Sequence, residues 1–142
     1  PIIYRIKTLL KRETDKTKQY LISLSGGVDS MVLTNLMKQL NNNIYCFHLI
    51  YGNRSECYDE FNIIQEYCKN LKIKLYYYNI KYFERKYINR EFYEKMTTQI
   101  RFKCYELLKT DFTLLGHIKE DIIENIWSNF ATGTNIDNLD EL

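Results

Sequence analysis

Hydrophobic and polar residues follow two periods along this chain, and the period changes from segment to segment. Apolar runs of strand length occupy 20–24, 44–50 and 112–115, and Ile73, Leu75 and Tyr77 alternate like a strand with one face toward a core. Between them, apolar residues three or four positions apart predict helices. The predicted helix faces are Ile2 to Arg12; Val28, Met31, Val32, Leu36 and Leu40; Phe61, Ile64, Cys68 and Leu71; Phe92, Met96, Ile100, Cys104 and Leu107; and Ile122, Ile123, Ile126 and Phe130.

Strands that alternate with helices favour a mainly parallel sheet with helices on both faces, because each parallel connection must cross the sheet. The chain has one proline, five glycines and no internal repeat. These features predict an α/β fold with a single domain over residues 1–142. The chain begins at Pro1 without a methionine, which is also what a piece of a longer protein would show.

The net charge and the lengths of the apolar runs limit which partners the chain can have. The 20 Lys and Arg residues nearly balance 18 Asp and Glu residues, giving a net charge of +2. A nucleic-acid partner would therefore need a local basic patch. Apolar runs such as 44–50 are shorter than the roughly 20 residues that span a bilayer, so we expect a cytoplasmic protein with no membrane partner. The four cysteines form no CxxC pair, which favours buried free thiols over a metal site or disulfides.

The turns after the predicted strands are where a ligand would bind, because strand carboxyl ends form the ligand crevice of such sheets. The first turn reads Ser25-Gly26-Gly27-Val28-Asp29-Ser30. Its glycines let the backbone approach a ligand, and the following helix start offers unpaired N–H groups that suit a phosphate. Asp29 would repel a phosphate unless a divalent cation bridges the two. The alternative is an ordinary turn with an Asp or Ser helix cap.

The hexapeptide 25–30 resembles the SGGxDS pyrophosphate loop of the N-type ATP pyrophosphatases, the PP-loop superfamily. Later segments resemble one of its branches, the tRNA(Ile)-lysidine synthetase family. Residues 48–54 are similar to its HxNHGLR segment, 116–124 to its GHHxDDxxET segment, and 133–139 to its RGTGLxGL run. These matches follow the family's order over nearly all of the chain after Tyr20. The resemblance implies the Rossmann-like adenine nucleotide alpha hydrolase fold.

Several positions depart from the family's pattern. Tyr51 and Ile118 replace the second histidines of HxNHG and GHH, Glu120 replaces an Asp, Asn125 replaces a Thr, and Cys104 replaces the second Arg of an ARxxRY-like segment. The related tRNA thiolation enzymes carry a CxxC pair where this chain has Thr97 and Ile100. Sulfur transfer through such a pair is therefore not expected.

The resemblance implies an ATP-dependent ligase that adenylates a cytosine carbonyl of tRNA, releases pyrophosphate and joins free lysine to the base. ATP and Mg²⁺ are the implied cofactors, and tRNA and lysine the implied partners. The implied catalytic residues are Asp29, His117, Asp121 and Glu124, with Asp29 also holding the metal. The implied ATP-binding residues are Ser25, Gly26, Gly27, Val28, Asp29, Ser30, His48, Arg54, Arg101 and Gly116.

Other interpretations of the same residues stay open. The chain could act on a different base or a small amide, or could be a non-catalytic nucleotide- or RNA-binding module. Asp121 and Glu124 are also suited to capping the helix that they begin, because the helix dipole favours carboxylates in a first turn. The alternatives are a satisfied core histidine for His48, a solvated loop side chain for Arg54 and a surface ion pair for Arg101.

A basic and aromatic segment follows the third predicted strand. Cations at Lys81, Arg85, Lys86 and Arg90 are interleaved with rings at Tyr82, Phe83, Tyr87 and Tyr93. Positive charge beside flat rings suits unpaired RNA bases. Because tyrosine is abundant throughout, with 13 copies, an ordinary amphipathic surface is the alternative.

Overall fold

The structure, a computed structural model, describes residues 2–40, 43–52, 55–80 and 89–116. Its elements in chain order are α1 (Ile2–Glu13), β1 (Gln19–Ser23), α2 (Val28–Gln39), β2 (Asn43–Ile50), α3 (Glu56–Asn70), β3 (Lys74–Asn79), α4 (Arg90–Leu108) and β4 (Phe112–Leu115). The predicted α/β class is confirmed, and each predicted strand is present. The helix predicted around Ile122 lies outside the described residues.

The four described strands form one parallel sheet in the order β3-β2-β1-β4. The chain moves outward from β1 to β3 and then returns through α4 to place β4 on the other side of β1. The direction of the connections therefore reverses between β1 and β4. Ligands bind at such switch points in open α/β sheets, so the turns that follow these two strands are where the site is expected.

Core side chains lie on both faces of the sheet, because successive residues of a strand point to opposite sides. One cluster contains Ile22 and Cys46 with Met37 of α2 and Ile64 of α3. The other contains Leu21 and Phe47 with Tyr105 of α4, along with other apolar residues. The cysteines are free, as predicted; Cys46, Cys57 and Cys68 are buried and Cys104 is half-buried.

The predicted face of α4 is only partly correct: Ile100 and Cys104 pack against the core, as predicted, but the ends of the face do not. Phe92 and Leu107, predicted to be buried, are 59% and 66% exposed. The helix instead buries Tyr93, Thr97 and Tyr105. A count of purely apolar positions missed these residues, because tyrosine and threonine pack well through their carbon atoms. The hydroxyl of Thr97 donates to the Glu94 carbonyl, and that of Tyr105 hydrogen-bonds to Ser23.

The predicted core face of β3 is also only partly correct. Ile73 is buried and Leu75 packs against the core, but Tyr77 is 55% exposed. β3 is an edge strand of the described sheet, so fewer neighbours cover its side chains. Among the described residues, no helix has the length and hydropathy needed to cross a membrane.

Candidate nucleotide site at the switch point

The loop between β1 and α2 is an exposed turn whose conformation depends on glycine. Gly26 has a φ of +88°, a left-handed conformation that other residues rarely adopt. Gly27 is the N-cap of α2, in extended conformation and with no side-chain capping bond. The N–H groups of the first helical turn therefore lack a capping side chain from Gly27, and the helix dipole adds partial positive charge there. This arrangement suits an anion such as a phosphate.

The two serine hydroxyls of the loop differ in their surroundings. Ser30 is only 2% exposed, and its Oγ donates a hydrogen bond to the Gly27 carbonyl at 3.0 Å. The same Oγ accepts one from the Ser25 N–H at 3.2 Å. Ser25 is exposed, and its Oγ accepts a hydrogen bond from the Gly27 N–H at 3.3 Å. Ser30 therefore holds the loop in shape, and its contact with a phosphate stays a prediction.

Gly116 lies directly against the first turn of α2. A Cβ at Gly116 would be 2.9 Å from both the backbone N and the Cα of Ser30, closer than side chains normally approach. Gly116 follows β4, which pairs with β1 in parallel. The predicted ATP-site glycine thus contributes by letting the end of β4 approach the loop closely.

His48 is a buried histidine that bonds to the residue before the loop. Its Nδ1–H donates to the Leu24 carbonyl at 2.7 Å, and its ring lies parallel to Phe61 at 6.0 Å between centroids. Burial holds the pKa of His48 below its ordinary value, because water no longer solvates the imidazolium. This geometry supports the interpretation of His48 as a satisfied core histidine. Direct contact between His48 and a nucleotide stays a prediction.

Arg101 brings a cation to the carboxyl edge of the sheet. Tyr105, one turn later in α4, hydrogen-bonds through its hydroxyl to Ser23 Oγ at 2.5 Å, at the end of β1. The Nε of Arg101 is buried and has no hydrogen-bond partner among the described residues. Burial raises the pKa of Tyr105, and the nearby Arg101 charge partly opposes that rise. An unpaired buried guanidinium donor is costly, and a bound anion would remove that cost.

Asp29 is exposed in the first turn of α2, where its carboxylate could hold a cation beside a bound phosphate. Within 2–40, 43–52, 55–80 and 89–116, no group of three or more His, Cys, Asp or Glu residues could hold a metal ion. A Mg²⁺ ion at Asp29 would therefore take other ligands from phosphate oxygens and water, as Mg²⁺ commonly does in phosphate sites.

Sequence reasoning missed a buried polar atom at the end of β3. Asn79 Oδ1 is buried without a hydrogen-bond partner in the part of the chain described. It lies beside Gly52, whose φ is +67° and whose Cβ, if present, would be 2.6 Å from the Ile80 carbonyl oxygen. The available signal was a polar amide residue directly after the three tyrosines of the strand.

Several predicted residues lie outside the described ranges. These are the catalytic candidates His117, Asp121 and Glu124, the phosphate candidate Arg54, and the basic segment 81–88. Arg90, the last cation of that segment, begins α4 and pairs with Glu94 at 3.0 Å.

The comparisons with known proteins identify the family of the chain. The model of the PP-loop domain matches residues 1–142, and the chain belongs to that family, as its sequence resemblance predicts. Because the family uses ATP, membership implies ATP binding. Among curated relatives, the tRNA(Ile)-lysidine synthase of Mycoplasma pneumoniae is 31% identical over 111 residues, and that of Mycoplasma genitalium is 30% identical over 112.

These matches cover 75% of this chain but only 36% and 37% of those relatives. The chain thus spans little more than a third of their length. Among solved structures, a U34-tRNA thiolase from Methanococcus maripaludis aligns with a TM-score of 0.70 at 18% identity, over 96% of this chain and 52% of that one. An NMN synthetase from Francisella tularensis aligns with a TM-score of 0.59 at 14% identity, over 97% and 72%. At these identities, the likeness supports the fold alone.

Proposed function

We propose that this chain carries the adenylation site of an ATP-dependent ligase that joins lysine to a cytosine of tRNA. The open loop 25–30 at the switch point carries the proposal, because it offers backbone N–H groups to a pyrophosphate. The names of the curated relatives supply the substrate class. The glycines of the loop and the unpaired Arg101 Nε at the carboxyl edge are consistent with a site for ATP.

The proposed reaction has two steps. The carbonyl oxygen of the base attacks the α-phosphorus of ATP, and the bond to pyrophosphate breaks. The amine of lysine then attacks the activated carbon, the bond to the AMP oxygen breaks, and the amine loses a proton. Adenylation is needed because an amide-like carbonyl is a poor electrophile with a poor leaving group.

The residues of this chain divide the work of that reaction. Backbone N–H groups of the loop 25–30 would hold the departing pyrophosphate, and Arg101 would add a cation. Asp29 would hold Mg²⁺, which neutralises charge that develops on the phosphates. His117, Asp121 or Glu124 would orient and deprotonate the lysine amine.

Binding of MgATP is the first test of this proposal. ATP at 100 times its dissociation constant should stabilise the folded chain by about 2.7 kcal/mol, which thermal unfolding with and without MgATP would measure. Asp29→Asn should remove the part of the stabilisation that depends on Mg²⁺, because the carboxylate is lost. An unchanged Mg²⁺ response would exclude Asp29 as the metal ligand, and no stabilisation at millimolar ATP would contradict the site itself.

Lysine transfer is the second test. Given ATP, tRNA and labelled lysine, the full-length protein should release pyrophosphate and incorporate lysine. Asp121→Asn should lower turnover at least tenfold, a loss of about 1.36 kcal/mol of transition-state stabilisation, while MgATP binding is retained. Glu106→Gln is the matched control, because Glu106 is an exposed carboxylate whose partner is Lys103 at 3.5 Å.

The outcomes separate the alternative functions. Pyrophosphate release without lysine incorporation would favour a PP-loop enzyme that acts on another base or a small amide. MgATP binding with neither activity would favour a nucleotide-binding module.

A further inference from the structure

The edge strand β3 carries a row of exposed tyrosines on one face of the sheet. Tyr76 pairs with Phe47 and Tyr78 with Leu49 in the parallel register. Phe47 and Leu49 belong to the same core cluster as Tyr105 of α4. Both tyrosines therefore point to the face of the sheet on which α4 packs. Their side chains are nevertheless 36% and 50% exposed. Tyr45 of β2 lies 6.2 Å from the ring of Tyr76. We call Tyr45, Lys74, Tyr76 and Tyr78 the tyrosine face.

The spacing of these rings suits an unstacked strand of nucleotides. Alternate residues of a parallel strand lie about 6.6 Å apart, roughly twice the 3.4 Å rise per nucleotide of a stacked strand in a duplex. Each ring can therefore receive one splayed base, whereas adjacent stacked bases would not match both rings. Base stacking on aromatic side chains is tolerant of sequence.

The tyrosine face carries a lysine. Lys74 begins β3, and residues 69–80 contain no acidic residue. Lys74 Nζ lies 5.6 Å from the centre of the Tyr76 ring, so a cation and a flat ring are presented together. In a chain with a net charge of only +2, such a local cation is what attraction to a polyanion requires. Pairing of this edge with a second copy would bring the two lysine groups together, and edge lysines oppose such pairing.

We propose that the tyrosine face binds a single-stranded segment of RNA, with Tyr76 and Tyr78 each stacking on one base and Lys74 contacting a phosphate. The inference rests on the proposed function for the choice of RNA among polyanions. β3 ends at the same carboxyl edge as β1 and lies two strands away, about 10 Å at the usual strand spacing. A strand of RNA that follows β3 is therefore directed toward the edge where the loop 25–30 lies.

Fluorescence anisotropy of a short labelled single-stranded RNA, titrated with the full chain, tests this proposal. The same RNA annealed to its complement should bind more weakly. Tyr78→Ala should weaken single-strand binding about 5- to 150-fold, the range expected for loss of one stacked base. Tyr78→Phe should bind as wild type, because stacking uses the ring. Lys74→Ala should reduce the slope of log affinity against log salt by about 0.7, equivalent to one lost phosphate contact.

Tyr77→Ala is the matched control on the same strand. Tyr77 points to the opposite face, is 55% exposed, and packs against Phe61 at 4.6 Å, so its loss should not change RNA affinity. If Tyr78→Ala does not fold, Tyr78→Thr keeps strand propensity and replaces it. The proposal would be overturned if Tyr77→Ala and Tyr78→Ala lowered RNA affinity equally, if neither lowered it, or if the chain preferred duplex RNA. Binding to anionic vesicles but not RNA, or dimerisation that Tyr78→Ala abolishes, would also overturn it.

This test can fail independently of the proposed ligase activity. If a Tyr78→Ala variant binds RNA with wild-type affinity and still transfers lysine, the proposed RNA site is wrong and the proposed ligase activity is supported. If RNA binding depends on Tyr78 but the protein neither releases pyrophosphate nor transfers lysine, the proposed RNA site is supported and the proposed ligase activity is wrong.

Discussion

Replacing Gly116 by alanine should weaken MgATP binding at least tenfold, although residue 116 lies outside the loop 25–30. The new Cβ would stand 2.9 Å from the backbone N and Cα of Ser30. These are backbone atoms of the first turn of α2, which cannot swing aside as the end of a flexible side chain can. Either β4 or the helix start must move, and overpacking of this kind costs about 1–3 kcal/mol. Isothermal titration with MgATP and denaturant unfolding would measure the two effects.

Gly27→Ala is the control for this experiment. Its Cβ would meet only Ser25 Oγ, at 3.4 Å, and its extended backbone accepts alanine. We therefore expect Gly27→Ala to retain the free energy of unfolding of the wild type, whereas Gly116→Ala should lower it by about 1–3 kcal/mol and also weaken MgATP binding. Wild-type ATP affinity in Gly116→Ala would show that the loop does not depend on its contact with β4.

Replacing His48 by leucine should lower the free energy of unfolding by about 1–3 kcal/mol. The Leu24 carbonyl would lose the donor that now lies 2.7 Å away, and an unsatisfied buried acceptor costs about that amount. Because Leu24 directly precedes the loop, MgATP affinity should fall as well. His48→Asn offers an amide N–H to the same carbonyl and should recover part of both losses. Urea unfolding and nucleotide titration of the two variants would measure this, and equal behaviour of leucine and asparagine would contradict a role for the hydrogen bond.

The same histidine should make stability depend on pH. Burial lowers the pKa of His48 in the folded chain, whereas the unfolded chain has the ordinary value of about 6.5. Below about pH 6.5 the unfolded chain therefore binds a proton that the folded chain excludes. Stability should fall with decreasing pH by up to about 1.4 kcal/mol per unit until the folded-state pKa is reached. In His48→Asn, the free energy of unfolding should no longer fall with pH on account of this group. Urea unfolding of the wild type and of His48→Asn over a range of pH would measure the difference.

The order of elements was predictable because the spacing of apolar residues changes sharply between strands and helices. The apolar run 112–115 matches the observed β4, and the glycine pair between β1 and α2 correctly located the loop. The side of α4 that packs on the sheet was only partly predictable in this way, since Ile100 and Cys104 of the predicted face pack against the core. Tyr93 and Thr97 are buried there, and their polar atoms disguise them in a count of apolar positions.

The site was less predictable than the fold because its contacts join distant parts of the chain. Nothing in the hexapeptide 25–30 indicates that Ser30 would be buried, since that depends on the position of β4. The unpaired Nε of Arg101 likewise results from the placement of α4 over the end of β1. Motif spacing can identify such residues as candidates, but it does not distinguish a side chain that touches a ligand from one that shapes the loop.

The pairing of β1 with β4 also has a consequence for synthesis of the protein on the ribosome. Tyr20 and Phe112 are register partners, and the Gln19 N–H donates to Asp111 Oδ2 at 2.8 Å across 92 positions of sequence. Contacts between such distant residues form slowly, because closing a long loop costs entropy before the pairing compensates for it. Domains emerge from the ribosome N-terminal end first, so a nascent chain displays the whole hexapeptide 25–30 long before Gly116 is made. The capacity to hold ATP should therefore arise late in translation, after β4 has left the ribosome and joined the sheet.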